Sequence, residues 1–380
     1  MTSPEEQAMY TEAAMIRQQQ KQQLQTIDAT YAIQRGLAMG RNSRKSRAFS
    51  IKIASVTLTM IMAAGLLLFN PIRESITSQT VQTAKEQTLD WGALNDFKQL
   101  ALHDIDGSTL ESAIRNDYIQ MVNKSAKSGP YQIKINAVTA DENKLILLYT
   151  ATTDSSQEIY NVNSVRMTDV QTGRYLGNTS KIGSSADNQI WHGRATLELD
   201  RNNPLPGHIE ADFQIASVEP GKMSDPKTGT VRSEMNYSER MRIEFDLDSK
   251  FSSMKTETYK PDEVIMLGGH QVLLSRVEIS PLMTKATFVF DPGKKNDFQT
   301  RISISELLNP YEIVSTTDDG RMFKSSSVSG SGTKDGIQYI FGSNMLDAPQ
   351  SMVMRLYSEY RQSFGSVEEA KENALEFTIK

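Results

Sequence analysis

Seventeen consecutive positions, Ile53 to Phe69, carry no charge and no proline. At 1.5 Å per residue a helix of that length covers about 26 Å, near the lower limit for a bilayer core of about 30 Å. Lys52 can add its apolar stem and keep its ammonium at the interface. Such a helix is apolar on every face, and a core helix of that kind needs more apolar surroundings than this chain offers. Fifty residues precede it and no small-x-small site follows Phe69, which argues against a cleaved secretion signal. The pattern predicts one transmembrane helix, 51–71.

Elsewhere the patterning is of two kinds. Before the apolar segment, Ser3-Pro4-Glu5-Glu6 reads as a capping box with proline at the first helical position. No glycine or proline interrupts Glu5 to Arg35, so a helix is expected there. Its apolar stripe is narrow: Leu24, Ile27 and Tyr31 share a face, while Gln18–Gln20 and Gln22–Gln23 make the rest polar. Such a helix buries little by itself and suits a partner's groove. Residues 72–107 read as a stalk, or as a strap against the next domain. A second capping box, Ser108-Thr109-Leu110-Glu111, starts a helix expected to run to about Met121.

From Gly129 onward the period changes to two. Strands are expected at Tyr131–Val138, Leu145–Tyr149, Tyr160–Val170, Ile190–Leu199 and Ile209–Val218. Glu219 to Ser238 is rich in turn residues. Strands resume at Met241–Leu247, then Val272–Ile279, Thr284–Phe290, Ile302–Ile304, Glu312–Thr316, Met322–Lys324, Ile337–Phe341, Met352–Tyr357 and Leu375–Ile379. Asp319-Gly320 marks a hairpin turn, and Val328–Gly336 reads as a loop. A faint repeat relates Gln132–Val138 to Gln271–Val277. The expected fold is therefore mainly β: two β-sandwich, immunoglobulin-like units, 108–218 with its leading helix and 239–380, joined by a linker at 219–238.

Charge adds orientation. Residues 1–50 hold seven Lys/Arg against four Asp/Glu, a net of +3, while the chain carries −5, so the remainder sums to −8. Arg41, Arg44, Lys45, Arg47 and Lys52 crowd the N-terminal flank of the apolar segment, and no acid lies between Asp28 and Glu74. The positive-inside rule then puts 1–50 in the cytoplasm and 72–380 outside the membrane. The overall balance gives no sign of a nucleic-acid partner.

Candidate chemistry is sparse. The chain has no cysteine, which excludes disulfides, thiol nucleophiles and cysteine zinc sites. His103, His192, His208 and His270 are scattered, with no helical metal pair. Ser224-Asp225-Pro226-Lys227 and Lys227-Thr228-Gly229 match motifs of penicillin-binding enzymes, but one lysine would have to serve both. Asp246 with Asp248, and Asp318 with Asp319, lack the further acids of a calcium loop. Trp91 and Trp191 read as packing residues. No catalytic, cofactor or metal residues are assigned.

The order of parts resembles a known family. A basic stretch, Ile33 to Arg47, precedes one span ending in Asn70-Pro71. Met121-Val122-Asn123-Lys124-Ser125 follows a helix, then come Gly129, the alternating strand Tyr131–Val138, Asp141 and the strand through Tyr149. This is similar to Gram-positive bacterial membrane proteins carrying domain of unknown function 4179. The part around Val272 to Pro281 resembles domain of unknown function 5643. The resemblance spans roughly 33–380 and implies an anti-sigma-factor-like regulator with a cytoplasmic sigma factor as partner and an outer ligand of unknown kind. It implies no catalytic residue. A structural or adhesive envelope protein is the alternative expectation, and an outer hydrolase the third.

Overall fold

A computed structural model of the chain describes residues 89–102, 106–223, 235–293, 297–357 and 374–380, all within one unit, Thr83–Lys380. The expected cytoplasmic helix and transmembrane segment lie outside the described residues. No helix among the described residues is long and apolar enough to cross a membrane.

The described chain is mainly β. It opens with a 3₁₀ turn, Gly92–Phe97, and two helices, α1 (Lys98–Leu102) and α2 (Gly107–Arg115). Strands follow as β1 (Gln120–Ser128), β2 (Tyr131–Ala140), β3 (Lys144–Thr152), β4 (Glu158–Asp169), β5 (Thr179–Asp187), β6 (Ile190–Glu198), β7 (His208–Val218), β8 (Asn236–Tyr237) and β9 (Met241–Asp246). Then come β10 (Glu257–Tyr259), β11 (Glu263–Leu267), β12 (His270–Ile279), β13 (Thr284–Phe290), α3 (Phe298–Leu307), β14 (Asn309–Thr316), β15 (Met322–Gly332), β16 (Gly336–Phe341), β17 (Ser351–Tyr357) and β18 (Leu375–Thr378).

A five-stranded sheet, β1-β2-β3-β6-β5, faces a second sheet in which β7 pairs with β4 on one side and with β8 and β9 on the other. The alternation of apolar residues along β2 and β7 puts Ile133, Ile135, Phe213 and Ile215 into one core between them. Long cationic side chains tie the sheets together where their edges meet. Lys124 donates to the Glu244 carbonyl of β9 (2.9 Å), and Lys181 to the Val162 and Asn163 carbonyls of β4. Edge carbonyls that a foreign strand could use are thus occupied.

The later strands form one nine-stranded assembly, β10-β12-β13-β16-β15-β14-β17-β18, with β11 also on β12. β15 belongs to both halves: its first part pairs with β14 and its second with β16, the register shifting between Ser327 and Ser329. A strand that changes sheet at such an irregularity turns a corner. The core it encloses holds Phe288, Phe341, Ile313, Met354 and Phe377.

Several expectations change. Met241–Asp246 was expected to open the second unit, but it pairs with β7, and Met241, Ile243 and Phe245 lie in the first core. The change of core therefore falls after Phe251, and 219–238 joins strands of the same core. Of the two readings of 72–107, its end is the strap: Trp91, Leu94, Phe97, Leu100 and Ala101 are buried with Leu110, Ala137 and Leu148 on the outer face of the five-stranded sheet. The helix expected to reach Met121 stops at Arg115, because Asp117 is left-handed (φ 52°), and Met121–Ser125 belong to β1. Its N-cap is Asp106, not Ser108, and that carboxylate makes no cap bond because it is drawn into an ion cluster. Ile302–Ile304 is helical: Asp297 caps α3 through the Thr300 N–H (2.8 Å), and Ile304 is buried. Most of the Val328–Gly336 loop is strand. β5, whose sequence TSKIGSSAD shows no alternation, was not expected at all.

Candidate functional site

The two cores meet at a joint built mostly from polar groups. Its centre is Asp141, in the tight turn between β2 and β3. One carboxylate oxygen accepts the Asn143 and Lys144 N–H groups (both 2.8 Å), the local pattern that makes aspartate a turn residue. The other oxygen accepts the Leu282 N–H, also at 2.8 Å, from the β12–β13 turn. One side chain thus shapes a turn of the first assembly and holds a turn of the second. Asp141 is fully buried. Burial pushes its carboxyl up, against the Ser280 hydroxyl and the three N–H donors. The Leu282 side chain enters the first core, and Leu346 packs against it.

Beside it, the loop before β17 grips α2. Asp347, whose side chain is 1% exposed, accepts Ser112 Oγ (2.6 Å), Arg115 Nη1 (2.8 Å) and Asn116 Nδ2 (3.1 Å). These donors lie at i, i+3 and i+4 on the last turn and C-cap of α2, so they share a face and one carboxylate meets all three. The Ser343 N–H donates to Thr109 Oγ1 (2.8 Å) on the same helix. At the rim Arg201 pairs with Glu278 (2.7 Å) and Glu142 (3.5 Å), and Asn143 donates to Thr256 (2.9 Å).

A third buried carboxylate anchors the joint from behind. Asp106 pairs with Lys144 Nζ (3.0 Å) and with Arg194, and Thr196 donates to it (3.3 Å). Burial pushes the Asp106 carboxyl up, but the Lys144 ammonium and the Arg194 guanidinium outweigh it and hold it below the usual range.

The joint also leaves a cleft of about 240 Å³. Its walls are Met254 from the connection after the first core, Glu257, Ile279 and Met352 from the second assembly, Met345 to one side, and the Ala348–Gln350 turn. Lys380 stands at the cleft with its ammonium 3.8 Å from Glu257. The loop that grips α2 through Asp347 therefore also shapes the cleft.

Residues singled out in the sequence fall elsewhere. Leu24, Ile27, Tyr31, Arg41, Arg44, Lys45, Arg47, Lys52, His103 and Ser224–Lys227 lie outside the described residues. His208 sits between Asp246 (2.6 Å) and Glu244 (3.1 Å) on the outer face of the β7–β9 pair, and hydrogen bonds to Glu244 and Asp246 raise its pKa. His270 pairs with Asp291 (2.7 Å), and His192 meets the Phe97 ring edge-on at 5.3 Å. Asp248 caps the turn Ser249–Ser252, and Asp319 braces the hairpin through Thr317 and Arg321. Trp191 lies over Gly183, where a Cβ would come within 2.3 Å of the indole nitrogen. No group of three or more His, Asp or Glu residues suited to a metal ion occurs among the described residues. Asp106, Ser343 and Asp347 carry no signal in the sequence pattern. The signs of the joint in the sequence are Asp141, between two apolar strands, and the polar run Gly342-Ser343-Asn344 as a whole.

No family model matches the chain, and no curated protein matches it. Among solved structures it is similar to one described as the crystal structure of the conserved domain protein from Bacillus anthracis. That similarity is 12% in sequence with a TM-score of 0.41, over 69% of this chain and 90% of the other. A likeness of that degree carries no argument about function.

Proposed function

We propose that the chain is a single-pass, non-enzymatic envelope protein, with 1–50 in the cytoplasm, a helix over 51–71, and 72–380 as an extracellular, immunoglobulin-like pair of β-sandwich modules. Its role is regulatory and anti-sigma-factor-like: the outer modules meet a ligand, and the cytoplasmic arm holds a partner such as a sigma factor. One observation carries this reading. A β-rich unit from Thr83 follows, after a short connection, an uncharged segment whose N-terminal flank holds five basic residues and no acid. The positively flanked side is the one retained in the cytoplasm, so the β unit belongs outside. On the cytoplasmic side, Leu24, Ile27 and Tyr31 form the stripe available to a partner; burying each contributes about 1.5–3 kcal/mol before ordering costs.

Two measurements test it. A reporter active only in the cytoplasm should work when fused after Ser50 and fail after Lys380; the opposite result overturns the topology. Changing Leu24 and Ile27 together to Asp should release the cytoplasmic partner and raise transcription of the genes it controls, with membrane insertion unchanged. If the bound proteins and transcription do not move, the structural envelope reading replaces the regulatory one.

A further inference from the structure

The cleft at the joint is lined by three methionines from three separate segments: Met254 on the connection after the first core, Met345 at the start of the Met345–Asp347 turn, and Met352 on β17. Methionine commonly serves as a flexible filler of irregular gaps. Here the three side chains border a cleft of about 240 Å³ that is partly open. The chain has no cysteine, so thioethers are its only soft donors. No histidine lines the cleft, and its one carboxylate, Glu257, already accepts the Tyr259 hydroxyl and lies 3.8 Å from Lys380 Nζ.

We propose that this cleft binds a soft monovalent cation, Cu(I) or its redox-silent analogue Ag(I), through the thioethers of Met254, Met345 and Met352. Neutral sulfur donors suit d¹⁰ monovalent ions and disfavour hard divalent ones, which ask for carboxylate, carbonyl or water oxygen. Glu257 and Lys380, both at the cleft, pair with each other, so the three thioethers face the ion as neutral donors. Met345, one of the three proposed ligands, begins the turn whose last residue, Asp347, holds α2. Occupancy therefore bears on the joint. The proposal does not depend on the membrane topology or on the cytoplasmic partner.

The test uses the full chain in detergent, titrated with Ag(I), and with Cu(I) under reducing, anaerobic conditions against a chromophoric competitor. One equivalent should bind, with sulfur as the scatterer seen by X-ray absorption at the metal edge, and Zn(II) should not compete. Met345→Leu and Met352→Leu keep the side-chain volume, and each should weaken binding about tenfold or more. Met266→Leu and Met322→Leu, at exposed positions outside the cleft, should leave it unchanged. Far-UV circular dichroism checks that each variant is folded; should Met352→Leu fail there, Met345→Leu, which is only partly buried, decides the question. Absence of a bound equivalent, or binding equally strong in the cleft variants, overturns the proposal and leaves the three methionines as packing.

Discussion

Asp141→Asn isolates the bond that crosses the joint. The amide keeps one acceptor oxygen, which can still serve the Asn143 and Lys144 N–H groups of the turn. Its NH₂ then faces the Leu282 N–H, which the carboxylate accepted at 2.8 Å. A hydrogen bond to a charged group contributes about 1.5–3 kcal/mol, and a buried donor left without a partner costs about 1–3 kcal/mol. A neutral amide is cheaper to bury than a carboxylate, which offsets part of this. The net expectation is a loss of about 2–4 kcal/mol, almost all of it at the joint. Urea unfolding of the purified protein measures it with two probes. Both tryptophans, Trp91 and Trp191, pack on the five-stranded sheet, so their fluorescence follows the first core. Far-UV circular dichroism follows both cores. In the wild type the two curves should coincide; in Asp141→Asn the fluorescence midpoint should fall and the curves separate. A variant within about 0.5 kcal/mol of wild type, with coincident curves, would refute the idea that this carboxylate couples the cores.

Other expectations come from the same packing. Asp106→Asn should cost about 3–5 kcal/mol, since it leaves Lys144 and Arg194 as buried cations facing a neutral amide. Because the folded Asp106 carboxyl lies below its unfolded value of 3.8, its stabilisation is complete above that value and is lost as pH falls through the folded one. The acid limb of a stability–pH curve should therefore flatten in this variant. His208 behaves oppositely: its folded pKa is raised above 6.5, so its contribution is present below 6.5 and disappears as pH rises through the folded value. An NMR titration should find it above 6.5, and Glu244→Gln with Asp246→Asn should bring it back. Gly193→Ala places a methyl 2.3 Å from the buried Tyr149 ring and should lower stability by about 1–3 kcal/mol, read from the urea midpoint. Gly336→Ala, whose Cβ would lie 2.0 Å from the Phe288 carbonyl oxygen, should do at least as much harm, since backbone yields less readily than a side chain.

Strands with a clean alternation were legible: β2, β7 and β13 run close to their expected bounds because every second side chain over most of their length enters a core. β5 was hidden because it is an edge strand exposed on both faces, held by β6 and by Lys181, and its side chains carry no burial pattern. The division between the cores was misplaced because turn residues at 219–238 mark a break in pairing, and a break in pairing is not a change of core. β9 alternates as strictly inside the first assembly as it would in the second. The joint was legible least of all. Its residues are 235 positions apart for Ser112 and Asp347 and 141 apart for Asp141 and Leu282. Nothing local in a polar turn announces a partner at that distance.

The chemistry chosen for the joint has a consequence for how the two cores behave. Leu282 and Leu346 supply its apolar contact, while Asp141, Ser112, Arg115, Thr109, Ser343 and Asp347 supply direction. Apolar contact tolerates sliding, but a buried carboxylate with three fixed donors does not, since any displacement leaves a charge or an N–H without a partner. Such a joint has one good arrangement and a steep penalty on either side of it. Its net contribution to stability is modest, because each buried ion gives up hydration to form it. It therefore fixes the mutual orientation of the cores more firmly than it holds them together. α2 stands between that joint and the strap of Trp91, Leu94 and Phe97 on the five-stranded sheet, with Leu110 in the strap's core and Ser112 on Asp347. The loop at Ser343–Asp347 bonds α2 through Thr109 and Ser112, and α2 meets the strap through Leu110, so a change in that loop has a packed route to the strap.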